Sequence, residues 1–111
     1  MNLQTYRRWE VVLLSFPFAE VNRTRKRPGL VLLDTGDSDL VIARITSRAA
    51  RTGYDVEIGD WEGAGLLLPS IARLDKLATL GKGLVDQRLG VLNQVDENRM
   101  LEALKSLWHL D

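Results

Sequence analysis

The chain reads as short apolar runs parted by polar punctuation. Residues 11–14 are continuously apolar with Trp9 ahead of them, the pattern of a buried strand. Pro17 has no N–H to donate and is expected to end that strand's ladder. Residues 19–27 are too polar for a core strand and predict an exposed loop. Pro28 then biases Arg27 toward an extended backbone. Residues 30–33 form a second apolar run, and Thr35-Gly36-Asp37-Ser38 is a turn cluster, so a hairpin should lead into a third strand over residues 39–45. In that strand Val41, Ala43 and Ile45 share one face, while Ile42, Arg44 and Thr46 share the other. Residues 55–58 alternate as a short strand with Asp55 and Glu57 facing out. Residues 66–77 read as a strand bent or restarted at Pro69, Gly81 and Gly83 break the pattern, and Leu89, Val91 and Leu92 suggest a last short strand.

The final stretch is helical. Asp96 is the expected N-cap, with Val95 and Met100 spaced for a hydrophobic staple. Met100, Leu101, Leu104, Leu107 and Trp108 recur at helical spacing and form an apolar stripe for packing on the sheet. Five or six strands followed by one helix predict a mainly β (α+β) domain, a small, partly open barrel with the helix packed on it. Length suits one domain over residues 1–111, with residues 1–8 as a flexible lead-in.

Composition narrows the chemistry. With no cysteine, disulfides, thiolate metal sites and cysteine nucleophiles are excluded. A single histidine, His109, rules out a multi-histidine metal centre, so neither metal nor cofactor is expected. No apolar run is long enough to span a bilayer and no secretory signal pattern opens the chain, which makes the cytoplasm the expected location. The net charge is zero but unevenly spread. Residues 1–51 hold nine Lys/Arg against five Asp/Glu, and residues 52–111 hold six against ten. Eight of the nine are arginine, whose planar fork matches phosphate. Such asymmetry points to nucleic acid or an acidic partner.

Arg27 opens the second strand and Thr46 closes the third. In an antiparallel pair those ends meet on one edge. Cleaving RNA without a metal uses the substrate's own 2′-OH as nucleophile. The protein must then hold the phosphate, stabilise charge on its oxygens and move protons. An arginine beside a hydroxyl meets the first two needs.

Three stretches together resemble one family. They are Val-Val-Leu-Leu-Ser-Phe-Pro-Phe from residue 11, Lys-Arg-Pro-Gly-Leu-Val-Leu from residue 26, and Val-Ile-Ala-Arg-Ile-Thr-Ser-Arg from residue 41. The likeness continues through Gly65-Leu66-Leu67-Leu68-Pro69-Ser70, Arg73-Leu74-Asp75-Lys76-Leu77 and Leu89-Gly90-Val91-Leu92, over roughly residues 9–108. This order is similar to the MazF/PemK family of toxin–antitoxin toxins. The resemblance implies an SH3-like β-barrel with helices, a homodimer, and a metal-independent endoribonuclease. Such an enzyme cuts single-stranded RNA to leave a 2′,3′-cyclic phosphate and a 5′-hydroxyl. It implies Arg27 and Thr46 as the catalytic pair, the arginine stabilising the phosphorane charge and the threonine holding the scissile group. It also implies a cognate antitoxin that lays an acidic segment across the dimer.

RNA contacts are expected from Arg23, Arg25, Lys26, Arg44 and Arg48, with Ser47 and Ser70 as further candidates and Phe16 or Phe18 as a stacking platform. Some relatives carry a glutamate or histidine in a longer loop before the Arg-Pro motif. Here the loop is short, and Glu20 is the candidate acid/base. Other relatives use an arginine and an aspartate one strand later, at places that fall on Leu67 and Pro69. Two other readings stay open at this point: a catalytically weak module that binds RNA or an acidic peptide, and a plain SH3-like interaction domain.

Overall fold

The computed structural model describes residues 4–18 and 23–109, apart from the side chains of residues 16–18, 23 and 24. Its strands are β1 (Glu10–Phe18), β2 (Arg23–Leu33), β3 (Asp39–Thr46), β4 (Asp55–Ile58), β5 (Ser70–Gly81) and β6 (Val85–Val91). A 3-10 turn at Lys82–Leu84 precedes β6, and the helix α1 (Gln94–Leu107) follows it. The strands form one six-stranded antiparallel sheet in the order β4-β5-β3-β2-β1-β6. The expected mainly β domain with a C-terminal helix is found, and its partly open barrel takes the form of an open sheet: among the described residues no ladder joins β4 to β6, and both remain edge strands. No described helix is long and apolar enough to cross a membrane.

Both faces of the sheet are covered at its centre, which is why residues 11–14 are apolar without alternation. On the first face Val11, Leu30, Ala43, Ile45, Ile58, Ala72 and Leu74 pack with Met100 of α1. On the second face Val12, Leu14, Val31, Leu40 and Ile42 pack with Tyr6. The anticipated lead-in is therefore tied down from Gln4 onward. Tyr6 is buried, and its N–H donates to Asp34 Oδ2 at 2.8 Å. The Lys82 ammonium pairs with Asp34 Oδ1 at 3.1 Å and donates to Gln4 O at 2.7 Å.

Several sequence expectations change. Pro17 does not end the first ladder: β1 and β2 pair onward through Pro17–Thr24 to Phe18–Arg23. Pairing of β1 with β6 stops at Leu14–Val85, so beyond it β1 has one open side where a missing N–H breaks no ladder. The basic segment before Pro28 is not a loop from Arg23 on, but strand. In β5 the bend lies past Pro69. Ala43 pairs Leu77 while Arg44 pairs Arg73, so residues 74–76 form a bulge that turns the strand.

The helix is capped by Asn93, whose side chain accepts from Asp96 N at 2.9 Å. Asp96 sits in the first turn instead, 1% exposed, and accepts from Gly59 N and Asp60 N, both at 2.9 Å. That carboxylate stitches the end of β4 to the helix. The staple is absent, since Val95 is exposed and Met100 fully buried. Of the apolar stripe, Met100 and Leu104 pack on the sheet, whereas Leu101 and Trp108 face solvent. Gly65 has φ 85°, and a Cβ there would collide with the Leu89 carbonyl, so this loop lies hard against β6.

Candidate functional site

The second face supplies the site. Its centre is the Tyr6–Leu14–Ile42 core, and beyond that core the same alternation places polar residues. In β2 the parity that buries Val31 puts Gly29, Arg27 and Arg25 on this face. In β3 the parity that buries Leu40 and Ile42 puts Arg44 and Thr46 there. The site is an arginine-lined end of a face whose other end is core.

Local sequence explains the arrangement around Arg27. Gly29 leaves space that Leu14 takes: a Cβ at Gly29 would stand 2.7 Å from Leu14 Cδ1. Pro28 lacks an N–H, and the β2–β3 ladder ends at the next residue, with Gly29 opposite Arg44. Carried two residues further at the same register, Arg27 falls opposite Thr46. That pair lies just beyond the end of the β2–β3 ladder, with both residues on the same face. Arg27 is exposed, and among the described residues no carboxylate holds it. Thr46 is half-buried, and its Oγ1 accepts from Arg48 N at 3.1 Å. That contact fixes the side chain and leaves the hydroxyl hydrogen free to donate.

Thr46 and Arg44 each pair with β5 on their other side. Thr46 stands opposite Ile71, and Arg44 opposite Arg73. Like charges in direct opposition destabilise a ladder and favour an anion between them. Across β5, Arg73 is opposite Asp55 and Ile71 opposite Glu57. Two rows therefore cross the face: Thr46–Ile71–Glu57 and Arg44–Arg73–Asp55. Asp55 does not face out as expected. Its carboxylate is fully enclosed, accepts from Arg51 N at 2.7 Å and pairs with Arg51 Nε at 3.5 Å. Glu57 is exposed. Asp55 Oδ1 and Arg73 Nε are both buried with no hydrogen-bond partner among the described residues.

The remaining predicted residues divide. Arg25 shares the face with Arg27 and is exposed. Ser47 and Arg48 follow Thr46 on the exposed segment beyond β3. Arg23 lies on β2, but its side chain is among those not described, and Glu20 lies outside the described residues. Two residues are not brought to the site. Lys26 opposes Ser15, points to the other face and pairs with Asp86 at 3.2 Å. Ser70 opposes the core residue Ile58, and its hydroxyl donates to Leu68 O at 2.8 Å, a local turn contact. Arg73 and Glu57 belong to the face without having been singled out from sequence. The alternation at residues 55–58 was the one available signal for Glu57. Arg73 stood hidden in an otherwise apolar run.

An open antiparallel sheet with a C-terminal helix and an arginine-lined face defines the class, and comparison gives the family. The model of the PemK-like, MazF-like toxin of type II toxin–antitoxin systems matches residues 7–108. The chain belongs to that family. Solved structures share the fold. A mycobacterial endoribonuclease in complex with its cognate antitoxin is 20% identical with a TM-score of 0.77, over 96% of this chain and 98% of that one. The Mycobacterium tuberculosis toxin MazF-mt6 is 21% identical with a TM-score of 0.69, over 90% and 98%. MazF in a MazE–MazF crystal from Deinococcus radiodurans is 18% identical with a TM-score of 0.73, over 97% and 99%. No curated protein matches the chain.

Proposed function

We propose that this toxin is a metal-independent endoribonuclease that cleaves single-stranded RNA, leaving 2′,3′-cyclic phosphate and 5′-hydroxyl ends. The observation that carries the reading is the β2–β3 register, which, carried two residues past the Gly29–Arg44 pair, brings Arg27 and Thr46 opposite one another on the arginine-lined face. A phosphodiester there would set its non-bridging oxygens against the Arg27 guanidinium. A guanidinium fork binds two such oxygens at once. Charge grows on those oxygens as the phosphorane forms, so the contact strengthens in the transition state, where it accelerates the reaction. The Thr46 hydroxyl donates to the same phosphate or to the ribose and holds the scissile bond in line. Arg25, Arg44 and Arg73 extend the positive surface along the strand to either side.

The family's partners fit this surface. An antitoxin with an acidic, partly disordered segment would cover the arginines by charge complementarity. The structural neighbours that are complexes with antitoxins support that assignment. We assign the homodimer on family membership. The test is incubation of the purified protein with a long single-stranded RNA in EDTA, beside Arg27→Ala and Thr46→Ala. Wild type should yield cyclic-phosphate ends, Arg27→Ala should lose about 10²–10³-fold in rate, and Thr46→Ala somewhat less. No cleavage by wild type, or equal cleavage by Arg27→Ala, overturns the reading. Salt-dependent RNA binding without cleavage would instead favour a catalytically weak RNA-binding member.

A further inference from the structure

Of the pair on which the proposed reaction rests, Arg27 and Thr46, neither side chain is a base that takes the proton from the 2′-OH. From the register and exposure of the second face, we infer that Glu57 is that general base. The inference rests on the endoribonuclease reading above and adds a catalytic residue to it.

The placement is geometric. Thr46 and Glu57 are both paired to Ile71, one from each side, so the three residues form a single row across the sheet. Cross-strand neighbours share a face, so Thr46 and Glu57 project the same way. Adjacent strands lie about 4.8 Å apart, which sets the two Cα atoms about 10 Å apart across Ile71. A glutamate side chain spans about half of that distance at ordinary bond lengths. The remaining gap suits one ribose bonded to a phosphate held at Thr46. Ile71 between them is 6% exposed, giving the row a flat apolar floor.

The carboxylate is available. Glu57 is exposed, and among the described residues no hydrogen bond or ion pair holds it. Its strand neighbour on the same face, Asp55, is enclosed and committed to Arg51, so it cannot serve. Ser70, adjacent to Ile71, faces the other way. The charged groups facing Glu57 are Arg73, diagonal to it on β5, then Asp55 with its partner Arg51, and Arg44 beyond Arg73.

The step balances. Glu57 Oε takes the O2′ proton, and the O2′ lone pair forms the new bond to phosphorus. The P–O5′ bond breaks with its electron pair on O5′, which takes a proton from water. The hydroxide left behind is neutralised by the proton on Glu57, so the carboxylate is restored and the cyclic phosphate and 5′-hydroxyl are released.

The test compares wild type, Glu57→Gln and Glu57→Asp on the same single-stranded RNA in EDTA. Affinity is measured with a 2′-O-methyl RNA that cannot react, and folding by thermal unfolding. Glu57→Gln should lose about 10²–10⁴-fold in kcat, with affinity within about twofold of wild type, since no phosphate contact is lost. Glu57→Asp should be intermediate. The acid-side limb of the wild-type kcat/KM profile should flatten in Glu57→Gln, a change that a merely structural role would not produce. Wild-type-like cleavage and pH dependence in Glu57→Gln overturn the inference and leave the endoribonuclease reading standing. Absence of cleavage by wild type overturns both.

Discussion

Removing Asp34 should cost this toxin much of its stability. The carboxylate accepts from Tyr6 N and from Gly36 N, each at 2.8 Å, and pairs with Lys82 Nζ at 3.1 Å. The two side chains are 3% and 2% exposed. Asp34→Ala breaks a buried ion pair by removing the carboxylate from beside the Lys82 ammonium, which costs about 3–5 kcal/mol. That range contains the loss at the two abandoned N–H donors, each about 1 kcal/mol. A domain of this size shifts by about 4–8 °C per kcal/mol, so Tm should fall by about 12 °C or more. Urea and thermal unfolding at pH 7 measure it. Asp34→Leu combined with Lys82→Met removes both charges and should cost far less than the single change.

Acid supplies a second readout. The Tyr6 N–H chiefly holds the Asp34 carboxyl below its ordinary value, against the opposing effect of burial, with help from the Gly36 N–H and from Lys82. A lowered folded value means that the unfolded chain binds the proton more tightly. The contribution is therefore complete above the ordinary value of 3.8 and fades as pH falls through the folded one. The gap between wild type and Asp34→Ala should narrow only below that point. A single variant within about 1 kcal/mol of wild type would refute the assigned magnitude. A gap that stays constant on acidification would refute the assigned cause.

Further outcomes follow from other contacts. Asp96→Ala abandons two N–H donors at 2.9 Å and should cost about 2–4 kcal/mol in urea unfolding. Gly65→Ala forces a side chain into φ 85° and into the Leu89 carbonyl, so a loss of about 2 kcal/mol or more is expected in the same assay. Arg44→Gln should lower the slope of log affinity for single-stranded RNA against log salt by about 0.7. Lys26→Gln should leave that slope unchanged, because Lys26 points to the other face toward Asp86. Asp86→Ala should change stability by less than about 0.5 kcal/mol, as befits an exposed ion pair.

Sequence by itself determined a mainly β domain of five or six strands, the hairpin at Thr35–Ser38, the terminal helix and the family, though not the bounds of β2, β5 and β6. These depend on local periodicity and on short motifs, which need no partner to be read. The alternation that set Ile42, Arg44 and Thr46 on one face also survived, because a strand's two faces follow from its backbone alone. Tertiary structure decided what those faces meet. It closed the Arg23–Arg27 segment into β2, since β1 supplied a ladder that a polar composition cannot reveal. It moved the helix cap from Asp96 to Asn93, because Asp96 found two N–H donors on the distant β4 turn. It took Lys26 and Ser70 away from Arg27, each by the parity of a single residue. The bulge at residues 74–76 brought Arg73 against Arg44, and the sheet order set Glu57 in line with Thr46 across Ile71. The arginine-lined face is built from four separate strands, and residues far apart in the chain become neighbours only through register.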